Sequence, residues 1–148
     1  MSILIGTNVL VYLYDGASPF KRTQARLTLG TLAQTGYTFI TTQVLSEFFH
    51  VITTRIRPRM APADALAELE RHSRIWLVLD VTTPVILAAG RAVRDHKLNF
   101  WDAQLWAAAR LNGVDTILSE DFNSGSSLGG VRFVNPFAPG FDVSDWTP

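Results

Sequence analysis

Short runs of consecutive apolar residues alternate along this chain with longer stretches in which apolar positions recur every three or four residues. Ile3-Leu4-Ile5 is the first run and predicts a buried strand; Gly6-Thr7-Asn8 breaks it, and Val9 to Tyr14 predicts a short helix. Asp15 to Pro19 reads as a loop. Phe20 to Thr35 then carries Ala25, Leu29 and Leu32 on one helical face, and Gly36 is a good stop. Tyr37 to Thr41 is strand-like. Gln43 to Arg55 puts Val44, Leu45, Phe48, Val51 and Ile52 in one wide stripe, and Arg57-Pro58-Arg59 ends it.

The same alternation continues through the second half. Pro62 opens a helix that runs to about Arg74, and Trp76 to Val81 reads as a strand. Thr82 or Thr83 caps the next helix, with Pro84 in its first turn and an end near His96. Asn99 to Leu111 is helical and Asn112-Gly113 stops it. Thr116 to Leu118 is a strand, 121 to 130 a Gly/Ser-rich loop, and Val131 to Val134 a last strand. Strands alternating with helices predict an α/β sandwich on a mostly parallel sheet, here as one domain over 1–148 with an irregular tail after about 136. That tail is expected to wrap the surface or contact another chain. In such sheets ligands sit beyond the carboxyl ends of the strands, so the residues just after each strand matter most.

Composition narrows the chemistry. The 148 residues contain no cysteine, which excludes a disulfide scaffold, thiol catalysis and thiolate metal sites. A reducing cytoplasm fits. No signal-type segment opens the chain, and the uncharged stretch from Leu27 to Ser46 is too rich in Thr, Ser, Gln and Gly for a membrane span. Thirteen basic residues balance thirteen acidic ones, which argues against coating nucleic acid by bulk charge. The balance is local nonetheless: residues 21–110 carry a net +5 and residues 111–148 a net −4, and eleven of the bases are Arg. Arg55, Arg57 and Arg59 cluster at a helix end, where they suit the helix dipole and could also grip RNA phosphates. His50, His72 and His96 have no ligand spacing. Trp101 and Trp106 read as core or dimer contacts before base-stacking platforms.

The acids follow the strands. Glu47 lies on the helix after the second strand, Asp102 in the first turn of the helix from Asn99, and Glu120 and Asp121 just after Thr116–Leu118. Clustered carboxylates repel unless a cation holds them, and oxygen ligands are what Mg²⁺ and Mn²⁺ prefer. The local strings sharpen this. Ile3 to Tyr12, Leu45-Ser46-Glu47-Phe48, Phe100-Trp101-Asp102-Ala103 and Ile117-Leu118-Ser119-Glu120-Asp121-Phe122 together resemble PIN-domain proteins, in order and spacing, from Ile3 to about Pro136. The small size resembles the VapC-like toxin branch of bacterial toxin–antitoxin pairs.

That resemblance implies a PIN-like three-layer α/β/α sandwich and a ribonuclease that hydrolyses RNA phosphodiesters with Mg²⁺ or Mn²⁺. Glu47, Asp102 and Asp121 would be metal ligands or would orient metal-bound water. Thr7, Asn8 and Ser119 would support them, and Glu120 would line the site or be solvated. A homodimer and a cognate antitoxin that blocks the site are implied as partners. The chain departs from the pattern at Gly6, where the family has its first aspartate. An introduced inactivating change, a natural non-catalytic relative and a site that recruits water all account for it. The rival reading is a non-catalytic PIN-like protein that binds antitoxin or RNA. A phosphatase fits poorly, because the aspartate after the first strand is missing, and no GxxxxGK[ST] loop is present. A fourteenth acid at position 6 would have made the chain net −1, so its neutrality partly marks that missing residue.

Overall fold

Thirteen elements are seen in a computed structural model that describes residues 1–146. Five strands line up in parallel and a sixth closes one edge. In chain order they are β1 (Ile3–Ile5), β2 (Thr38–Thr41), β3 (Leu77–Leu79), β4 (Thr116–Leu118), β5 (Ser127–Leu128) and β6 (Val131–Val134). The sheet order is β3-β2-β1-β4-β6-β5, and only the β5–β6 pair is antiparallel. The helices are α1 (Thr7–Val11), α2 (Pro19–Leu32), α3 (Thr42–Thr54), α4 (Pro62–Ile75), α5 (Thr83–His96) and α6 (Phe100–Leu111). Helix α1 packs on α3 and α3 on α4, while α5 pairs with α6, which lies on β4 and β6. Right-handed crossovers place these two groups on opposite faces, giving the three layers.

The central strands β1 and β4 are buried on both faces. Ile3, Leu4, Ile5, Ile40, Ile117 and Leu118 are all within 3% of full burial. The order of strand addition reverses at β1, which pairs in parallel with β2 on one side and β4 on the other. That switch point opens a crevice beyond the carboxyl ends of β1 and β4.

Three expectations change. The strand breaks at Gly6 as expected, but extended Gly6 is also the N-cap of α1, so the helix begins at Thr7, two residues early. The Gly/Ser-rich loop contains β5, a two-residue strand too brief for a periodic signal. The tail is not irregular throughout, since Val143–Trp146 forms a 3₁₀ turn. It does wrap the surface. Gln24 Nε2 donates to Pro136 O at 3.1 Å, Phe137 meets the Tyr12 ring edge-on, and Trp146 lies under the Arg132 guanidinium. Among the described residues no helix is long and apolar enough to cross a membrane.

Helix α3 carries one of the acids, so its start matters. Thr41 is fully buried, and its hydroxyl accepts the Val44 N–H at 3.0 Å. Thr41→Ala leaves that donor without a partner in the interior. A loss of about 1–2 kcal/mol is expected in urea unfolding.

Candidate active site

Four elements supply the crevice because their termini meet at one end of the sheet. Gly6 directly follows β1 and Ser119 directly follows β4. Glu47 lies one and a half turns into α3, which starts where β2 ends, and Asp102 lies in the first turn of α6. Asn99 caps α6, its side-chain oxygen accepting the Trp101 N–H at 3.0 Å, and this fixes the turn that presents Asp102.

Glu47 and Asp121 are held by neutral donors. Glu47 accepts from Gln43 Nε2 at 2.6 Å and from the Thr7 hydroxyl at 3.5 Å. Gln43 is itself steadied by Gln104 Nε2 at 2.7 Å and donates to Trp101 O at 3.2 Å, which ties α3 to α6. Asp121 accepts from Asn8 Nδ2 at 2.9 Å, and its backbone N–H donates to Ser119 Oγ at 3.1 Å. Asn8 also donates to Ser119 Oγ at 3.3 Å. Thr7, Asn8 and Ser119 thus stand where supporting residues were expected, and sequence reasoning missed only Gln43 and Gln104. No motif marks those two; the i, i+4 spacing of Gln43 to Glu47 and the place of Gln104 two residues after Asp102 are the available signals.

Asp102 lies within electrostatic reach of both Glu47 and Asp121. Burial pushes its carboxyl above the usual range, and the Asp121 and Glu47 charges push it further the same way. Glu120 takes no part. It accepts from Tyr12 Oη at 2.5 Å and pairs with Lys21 Nζ at 2.7 Å, away from the other acids. Gly6 brings no side chain to the cluster. A Cβ built there would lie 3.0 Å from Leu118 O, 3.3 Å from Ser119 Cβ and 3.5 Å from Ser119 Oγ, facing the β4 end of the crevice.

Do these residues suit a divalent ion? The donors are hard oxygens, as Mg²⁺ and Mn²⁺ require. Asn8 Oδ1 is buried without a hydrogen-bond partner, because the acceptor-only Asp121 carboxylate turns the amide's other end toward itself. An orphaned oxygen beside two acids suits a hydrated cation. Among the described residues, however, no group of three or more Asp, Glu or His side chains is arranged to hold an ion unaided. What speaks for a cation is the hard-oxygen character of the donors and the orphaned Asn8 oxygen.

Around the acids the expected RNA contacts separate. Arg55, Arg57 and Arg59 are all exposed, but only Arg55 lines the cavity that contains Glu47. The tryptophans separate as well. Trp106 is a core residue as expected, with its indole N–H donated to Leu128 O at 3.0 Å, whereas Trp101 is 60% exposed at the cavity's edge and is no core residue. The reason is position: Trp106 lies on the face of α6 that packs inward, and Trp101 sits in its open first turn.

Comparison with known proteins gives a consistent picture. No curated protein sequence matches the chain. Among solved structures, the toxin VapC20 of Mycobacterium tuberculosis, which cleaves the sarcin–ricin loop, superposes with a TM-score of 0.68 at 21% identity, over 88% of this chain and 99% of that one. A chain of a toxin–antitoxin complex from Klebsiella pneumoniae gives 0.68 at 17% identity, over 91% and 98%. A chain of VapBC2 from Rickettsia felis, bound to a DNA fragment from its promoter, gives 0.66 at 14%, over 91% and 98%. At such identities the likeness is one of fold. The PIN domain family model matches residues 3–123, which hold Thr7, Asn8, Glu47, Asp102, Ser119 and Asp121. The chain belongs to the PIN domain family.

Proposed function

We propose that this protein is a metal-dependent endoribonuclease of the toxin type, from a toxin–antitoxin pair, whose activity is held low by Gly6. One observation carries the reading: Glu47, Asp102 and Asp121, from three separate segments, stand close enough for two of them to raise the third's affinity for its proton. Carboxylates gathered that way at a strand-end crevice need a cation. Mg²⁺ or Mn²⁺, when bound, would activate water and neutralise charge on a phosphoryl group. The chain's own residues do the rest. Glu47, Asp102 and Asp121 would hold the ion, while Thr7 and Gln43 steady Glu47 and Asn8 with Ser119 aims Asp121. Arg55 stands beside Glu47 to meet RNA phosphate.

RNA is the substrate on this reading, a cognate antitoxin protein and a second copy of the chain are the partners, and the cytoplasm is the place of action. The superposition on chains from toxin–antitoxin complexes supports the antitoxin. Calorimetric titration with Mn²⁺ is expected to show weak binding that Asp102→Asn weakens about tenfold further, with slow RNA cleavage that EDTA stops. Equal Mn²⁺ binding by the two proteins contradicts the reading.

A second reading keeps the fold and drops the chemistry: a non-catalytic PIN-like protein that binds antitoxin or RNA. Its supporting observation is the bare Gly6 position together with the absence of a preformed cage among the described residues. RNA binding without any Mn²⁺-dependent cleavage favours it.

A further inference from the structure

Beside the acids lies a cavity of about 730 Å³, with Glu47 in its wall. We infer that it is a subsite for the nucleotide next to the scissile phosphate, with Trp101 as the platform on which the base stacks and Arg55 meeting the adjoining phosphate; this rests on the nuclease reading above.

Shared walls carry the first step. Glu47 belongs both to the acid cluster and to the cavity, so a strand with its phosphate at the acids must lay an adjoining nucleotide close by, and this space has the size of a small-ligand site. Trp101 carries the second. It is a large apolar ring left in water next to Asp102, and it is held in place rather than loose. Its N–H is capped by Asn99, its carbonyl accepts from Gln43, and Phe100 meets its ring edge-on at 5.2 Å. A rigid exposed indole is what single-stranded nucleic acid stacks on, and it tolerates any base, since every base has a π-face.

Beside the apolar Val51 and Val81, the remaining lining carries polar groups a nucleotide can use. Exposed His50 and Ser46 offer polar contacts to a base edge. Arg55 makes no ion pair among the described residues, which leaves its guanidinium for an anion. Gln43 is used up by Glu47, Trp101 and Gln104, so it braces the wall.

The test uses the whole chain and a labelled single-stranded RNA hexamer of mixed sequence, without divalent ions. Trp101→Ala is expected to weaken binding about tenfold with its salt slope unchanged. Trp101→Tyr stays within about threefold, while Trp101→Leu follows the alanine variant, since a π-face is needed and bulk alone is insufficient. Arg55→Gln lowers the salt slope by about one. Because Trp101 is exposed, melting temperatures stay close to that of the unaltered chain, and the Tyr and Leu pair decides the matter if alanine perturbs folding. Undiminished RNA binding in Trp101→Ala overturns the subsite. So does loss of self-association with RNA binding intact, which gives the indole to a second copy. Mn²⁺-dependent cleavage that Gly6→Asp enhances equally with and without Trp101 overturns the subsite and leaves the nuclease standing. An unaltered chain that binds no single-stranded RNA overturns both.

Discussion

Gly6→Asp is expected to raise Mn²⁺-dependent RNA cleavage by about 100-fold or more, equivalent to roughly 2.7 kcal/mol of barrier. The backbone already suits the change. Gly6 has φ −74° and ψ 157°, an extended conformation open to any L-residue, so its glycine is not demanded by the turn. The cost is steric: Leu118 O, which accepts the Gly6 N–H at 2.8 Å, would face the new Cβ at 3.0 Å and Ser119 Cβ would face it at 3.3 Å, so both must give by a few tenths of an ångström. The new carboxylate would point toward the β4 end, where Ser119 and Asp121 stand. A fourth oxygen donor there turns a set that holds no ion unaided into one that closes around it.

Stability supplies a second readout independent of turnover. Four clustered carboxylates repel more strongly than three, so Gly6→Asp should melt lower than the parent in EDTA. Added Mn²⁺ should then stabilise the variant more than the parent, because tighter binding to the folded state shifts unfolding by mass action. Equal, robust cleavage by both proteins would show that water already serves in place of the missing ligand. Failure of either protein to cleave, with unchanged Mn²⁺ response, would leave the binding-only reading in force.

The legible parts of this molecule are those with long periodic signals or local caps. Phe48 and Ile52 announce α3, Thr82 lies where a cap was looked for, and the acids follow from strand ends. The N-cap role of Gly6 was invisible because its next residues, Thr7 and Asn8, look like a turn. Trp101 and Trp106 share a residue type and a helix, yet one is buried and one exposed; only the packing of α6 against β4 and β6 separates them. Glu120 shows the same limit. Its neighbour Asp121 turns to Asn8, whereas Glu120 finds Lys21, far away in sequence. A string of two acids cannot say which one the tertiary fold will claim. His72 looked like an ordinary helix residue, and burial made it the most strongly perturbed base in the chain.

Acidification below pH 6.5 should destabilise the fold through that histidine, by an amount on the order of 3 kcal/mol by pH 4. His72 is 1% exposed, between the rings of Tyr14, Phe48 and Trp76. Its Nδ1 accepts the Trp76 indole N–H at 3.0 Å, so its one proton sits on Nε2, facing Tyr14 Oη at 2.7 Å. Tyr14 passes its own proton toward Glu68 at 2.7 Å, and Arg71 donates to Tyr14 at 3.1 Å. A second proton on the ring would point a donor at a donor. Burial holds the imidazole neutral, Arg71 adds repulsion, Glu68 opposes only partly, and the pKa falls from 6.5 to about 4. The unfolded chain takes up a proton near pH 6.5 and the folded one does not, so stability is complete above 6.5 and drains as pH falls toward 4. The slope is about 1.4 kcal/mol per pH unit across that window. Arg22 and Arg26 line the same small cavity. Urea unfolding at pH 7, 5.5 and 4.5 measures the loss. His72→Gln, which cannot titrate, removes this part of the pH dependence while the carboxylates keep theirs. Parallel pH profiles for the two proteins would mean that His72 is protonated in the folded chain after all, with Trp76 or Tyr14 displaced to accommodate it.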